Sequence, residues 1–234
     1  MDRLSPPILV VNFKAYHPYS FGRHAYELAR SAERVARETG VSVAIAPPFT
    51  EIARLAEAVE IPVFSQHADP VEPGARTGYV PLEALREAGA VGTIVNHSEH
   101  RLKASDIAWL VGRARRLSLL TLVCADTPVV AAAVALMDPD MVAVEPPELI
   151  GTGIPVSKAK PQVVTSTVDL VRKHNPQVTI LTGAGISSGE DVAAAIKLGT
   201  QGVLVASAIV KAADPYAKML DMATQALKAW EKYG

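Results

Sequence analysis

Residues 119–147 read LLTLVCADTPVVAAAVALMDPDMVAVEPP. The stretch opens on LLTLVC and closes on MVAVE, two short apolar runs rich in β-branched residues. Neither shows the polar–apolar alternation of a half-exposed strand. Residues 127–136 lie between them and form the weakest helix candidate of the chain. Strands that read as continuous hydrophobic runs belong to parallel sheets covered on their faces by helices. The same unit recurs in both directions. The full series of runs is ILVVNF (8–13), VSVAIA (41–46), IPVFSQ (61–66), VGTIVN (91–96), LLTLVC (119–124), MVAVE (141–145), VTILTG (178–183) and GVLVAS (202–207). Helix candidates follow them at 20–38, 50–59, 81–88, 105–117, 127–136, 161–174, 188–198 and 215–233. Eight βα units in 234 residues, uninterrupted by any Pro-, Gly- or Ser-rich linker, predict an α/β protein. They favour one closed (β/α)8 barrel spanning residues 1–234 over an open doubly wound sheet.

Composition narrows the function. Hydrophobic residues make up 49% of the chain, well away from the regime of disorder. With 23 basic and 24 acidic residues the net charge is −1, which gives no broad electrostatic reason to bind nucleic acid or an anionic membrane. Any anion has to be captured locally. Cys124 is the single cysteine, so no internal disulfide framework is expected and a reducing, cytoplasmic setting fits. The apolar run near the start is too short for a signal peptide, and the one at 129–137 is too short to span a bilayer.

In a barrel of this kind the chemistry sits where strands end, so polar residues that terminate apolar runs are the informative ones. The first run ends in Asn12 and Lys14, the fourth in Asn96, His97, Ser98 and Glu99, and the sixth in Glu145. Taken singly, each is as well explained by a solvated lysine, a capping histidine or a loop carboxylate. Together they offer an acid, an imidazole and an ammonium converging from three strands. Glu145 is followed by two prolines, which restrict the backbone around it and hold the acid at its strand end. The Gly151-Thr152-Gly153 segment beyond them has the freedom of a flap, with main-chain N–H groups able to approach an anion.

NFK at 12–14, NHSE at 96–99, VEPPELIGTG at 144–153, TGAGI at 182–186 and GVLVAS at 202–207 resemble the triosephosphate isomerase family in order and spacing. The resemblance covers essentially the whole chain. It implies a TIM barrel and interconversion of dihydroxyacetone phosphate and glyceraldehyde 3-phosphate through a cis-enediolate, with no metal or organic cofactor. It further implies Glu145 as the base, His97 as a neutral imidazole acting on the carbonyl oxygens, and Lys14 as the fixed cation, with Asn12 and Glu99 in support. The phosphate of a small triose would rest on backbone N–H groups of Gly185, Ala206 and Ser207, with Ile150 and Gly151 joining as the flap closes. Thr77 lies in a loop resembling the one by which family members reach a neighbouring subunit. A homo-oligomer is thereby expected: a dimer is the family norm, and a tetramer the form of the short archaeal-type chains this one resembles. Two departures stand out. Glu148 occupies a lid-hinge position that usually holds tryptophan, and Gly183-Ala184-Gly185 replaces paired glycines followed by serine.

Rival readings are a Schiff-base aldolase using Lys14 and a non-catalytic sugar-phosphate binding protein; neither needs Glu145, His97 and Lys14 together. The glycines of 183–189 do not match the spacing of a dinucleotide fingerprint. His97 and His100 lack a distant third metal ligand.

Overall fold

The computed structural model describes residues 4–234. Eight strands form the sheet: β1 (Ile8–Asn12), β2 (Ser42–Ala46), β3 (Phe64–Ser65), β4 (Gly92–Val95), β5 (Leu120–Ala125), β6 (Met141–Val144), β7 (Thr179–Thr182) and β8 (Gly202–Val205). All neighbouring pairs are parallel, in the order β2-β1-β8-β7-β6-β5-β4-β3. A bridge between Ile45 and Val63 joins the two ends of that series, with Ile45 N donating to Pro62 O at 3.0 Å. The sheet is thus a (β/α)8 barrel with one weakly laddered seam, between β2 and β3.

Alternation along each strand separates two apolar compartments. Ile8, Val10, Ala44, Phe64, Ile94, Leu122, Met141, Leu181 and Leu204 fill the barrel interior. Their neighbours Leu9, Val11, Val43, Val123, Val142, Ile180 and Val203 face outward into the layer under the helices. The inward parity of β6 runs Met141, Ala143 and then Glu145, and that of β1 runs Ile8, Val10 and then Asn12. Strand parity therefore aims these two polar residues over the mouth of the barrel.

The helices are α1 (Gly22–Thr39), α2 (Ile52–Ala58), α3 (Leu82–Glu87), α4 (Ala104–Arg116), α5 (Pro128–Ala135), α6 (Val156–Ala159), α7 (Pro161–His174), α8 (Gly189–Lys197), α9 (Ser207–Val210) and α10 (Pro215–Tyr233). Ala25, Leu28, Ala29, Ala32 and Val35 make a buried stripe at helical spacing along α1. In α8, Ser188 and Asp191 form a reciprocal capping box that satisfies donors at the helix start.

The eight expected helices are all present, within two residues of their expected ends. The four-residue helix α6 was not expected; α9, also of four residues, starts at Ser207 in the loop after β8, where barrels of this kind often carry a short extra helix. Only Phe64 and Ser65 of the run at 61–66 pair as a strand; Pro62 has no N–H to give to a ladder.

Candidate active site

A cleft of about 290 Å³ opens at the carboxyl ends of the strands. Asn12, Lys14, His97 and Glu145 line one side, and the other side is formed by 150–153, 184–187 and 204–208. Glu145 is reached through β6. Its N–H bonds Ala125 O at 2.8 Å, and on the other side Gly183 N bonds Val144 O at 3.1 Å. The acid thus leaves its strand at a point pinned to both neighbours, and Pro146 follows in a fixed turn.

The three charged or titratable residues are linked. Lys14 Nζ donates to Glu99 Oε1 at 2.7 Å. The backbone N–H of Glu99 donates to His97 Nδ1 at 3.2 Å, so the remaining ring proton is assigned to Nε2. That nitrogen faces Glu145 Oε2 across 3.6 Å, too far for a good hydrogen bond. Glu145 Oε2 is buried without a hydrogen-bond partner among the described residues. Burial raises the Glu145 pKa above the ordinary carboxylate value, and His97, the Cys124 thiol and Lys14 oppose that rise only in part. A desolvated, unpaired carboxylate oxygen beside an N–H donor is an arrangement for taking a proton from something held between them.

Space for the carboxylate comes from Gly183: a side-chain carbon there would stand 2.3 Å from Glu145 Oε1. Backbone strain gathers at the same rim. Lys14 (φ 49°), Asn96 (φ 59°) and Ala184 (φ 65°) are three of the five non-glycine residues with positive φ among those described. Asn96 earns its place by bridging, since its Nδ2 donates to Cys124 O at 3.0 Å and its Oδ1 accepts from Leu102 N at 2.9 Å. This fastens the loop carrying His97 to the top of β5. Cys124 itself is buried, and burial pushes its thiol pKa well up.

The phosphate-side expectations fall into the same cleft: Ile150, Gly151, Gly185, Ala206 and Ser207 all line it. Thr77 does not. It lies in an exposed loop between β3 and α3. Residues 151–154 are exposed, whereas the rear of the flap is anchored by Val156 N to Ala184 O at 3.2 Å and by Lys158 Nζ to Asp191 Oδ1 at 2.7 Å. Gly185 (φ 73°) allows the chain to pass there, because a side-chain carbon would meet Ile154 O at 1.9 Å. Glu148, in the front hinge, is ion-paired with Lys160 behind the flap. Among the described residues no group of three or more His, Cys, Asp or Glu could hold a metal ion, and no helix is long and apolar enough to cross a membrane.

The family model described as triosephosphate isomerase matches residues 7–225 of the chain. The chain belongs to the triosephosphate isomerase family. It is 55% identical over 217 residues to the triosephosphate isomerase of Caldivirga maquilingensis, covering 93% of this chain and 96% of that one. Identity to the triosephosphate isomerase of Pyrobaculum arsenaticum is 54% over 222 residues, 95% of this chain and 99% of the other. With that of Methanothermobacter thermautotrophicus it is 49% over 219 residues, 94% and 95% respectively. These triosephosphate isomerases come from archaeal sources, in keeping with the short-chain branch that the sequence resembles. Sequence reasoning passed over Gln66 and Lys160, and it noted Gly183 and Glu148 without their contacts to Glu145 and Lys160, which cannot be read from residue type.

Proposed function

We propose that the chain interconverts dihydroxyacetone phosphate and D-glyceraldehyde 3-phosphate, with Glu145 as the base that carries a proton between the two carbons. The observation that carries this reading is the unpartnered Glu145 Oε2 facing His97 Nε2 at 3.6 Å inside a cleft that also holds Lys14. Removing a proton beside a carbonyl needs a base at carbon and positive character at the oxygen that becomes negative. His97 supplies an N–H donor there, and Lys14 balances the enediolate charge and draws in the phosphorylated substrate. Glu99 orients both, through its carboxylate to Lys14 and its N–H to His97. Asn12 Oδ1 accepts from Lys14 N at 2.9 Å and shapes the turn that carries the ammonium.

The phosphate rests on amides of Gly185, Ala206 and Ser207. Ile150 and Gly151 join it when the flap shuts, which excludes water while the base is at work. Thr77 serves a second copy of the chain in a homo-oligomer, a tetramer, working in the cytoplasm. A coupled assay tests the reaction: wild type is expected to turn over both trioses, and Glu145→Asp to lose roughly 10²-fold or more in kcat, since a small displacement of the base is costly. Borohydride trapping with substrate is expected to leave Lys14 unmodified. Binding without turnover, or an adduct on Lys14, would replace this reading with one of its rivals.

A further inference from the structure

Gln66 sits just past β3 and takes no part in the chemistry above. Its Nε2 donates to two main-chain carbonyls, Lys14 O at 3.1 Å and Ala46 O at 2.9 Å. Both neighbours are acceptors, so the amide nitrogen rather than the oxygen must face them. The place matters because β2 and β3 share the Ile45–Val63 bridge and no longer ladder. Above that bridge the Gln66 side chain does the crossing, from the end of β3 to the last residue of β2 and on to the turn after β1. The residue beside it is also fixed: the His67 ring stacks on His100 with centroids 3.8 Å apart, which joins the end of β3 to the loop that carries His97.

Lys14 occupies a left-handed backbone conformation, φ 49°, that an L residue with a long side chain resists. Two contacts hold it there. Asn12 Oδ1 takes its N–H, and Gln66 Nε2 takes its C=O. From that turn Nζ reaches Glu99 and the cleft. We propose that Gln66 is a positioning residue for Lys14, gripping its strained turn from across the barrel seam so that the ammonium stays fixed over the substrate. The proposal rests on the role given to Lys14 above.

A double-mutant cycle on kcat/KM tests it, using Gln66→Leu, Lys14→Met and the pair. Gln66→Leu keeps the bulk and removes both donors, and is expected to lower kcat/KM by roughly tenfold, the scale of one or two lost hydrogen bonds. In the double variant that loss should vanish, leaving the value of Lys14→Met alone, because Gln66 acts only through the lysine. Losses that multiply would overturn the proposal and leave Gln66 as a seam support. Wild-type activity in Lys14→Met would instead remove the reading of Lys14, and the proposal with it. Should Gln66→Leu not fold, Gln66→Glu decides: its ionised side chain has no donor and its protonated form has one. Its kcat/KM relative to wild type is expected to rise as pH falls, and a flat ratio would overturn the proposal.

Discussion

At the scale of single residues, the site is built by denying Glu145 its usual company. Its Oε2 is buried and unpaired, and desolvation raises its pKa above the ordinary value of 4.5. A base of raised pKa makes the acid limb of kcat/KM fall above the normal glutamate range, which a pH–rate profile checks. The same shift has a stability sign. The folded state holds this proton more tightly than the unfolded state does, so the favourable contribution is complete below the unfolded pKa and is lost as pH rises through the folded one. Glu145→Gln is therefore expected to melt above wild type at neutral and alkaline pH, with the gap closing toward about pH 4. A thermal scan across pH reads this directly, and a constant gap would speak against it. Gly183→Ala would drive a carbon into the carboxylate and is expected to cost roughly tenfold or more in kcat by displacing the base. The acid, imidazole and ammonium could be read from sequence because each ends an apolar run. Gln66 and Gly183 could not, because their meaning lies in what they touch: Gln66 reaches carbonyls 52 and 20 residues away.

At the scale of elements, the sequence pattern was most faithful where local chemistry marks an end. Helices α7 and α10 span their expected residues in full, each starting on a proline whose missing N–H no helix start needs. Pattern failed for α6 and α9, since four residues are too few to show a helical period. It overstated β3, where pairing depends on a seam partner rather than on the residues of the run. Glu148 and Lys160 pair across the two ends of the segment they flank, each about half exposed. Solvent screens an ion pair this exposed, so Lys160→Met is expected to lower Tm by no more than about 4 °C. A larger drop on calorimetry would show the pair to be structural for the fold and not for the flap alone.

At the scale of the whole molecule, barrel closure brings the ends of β1, β4 and β6 to one rim, so residues as distant in sequence as Lys14 and Glu145 serve one cleft. The outer surface carries a different message. Helix α5 is apolar around its circumference and leaves Val129 72% and Leu136 64% exposed, which suits burial against another copy. Light scattering is expected to give four times the chain mass, and an active monomer would contradict it. The central claim is that Glu145 moves a proton between carbon atoms, and proton NMR of the reaction in deuterated water tests it most directly. Wild type is predicted to deliver triose phosphate carrying solvent deuterium at the carbon that is reduced and receives the proton, and Glu145→Gln to deliver none. Deuterium incorporated at the wild-type rate by Glu145→Gln would contradict the account.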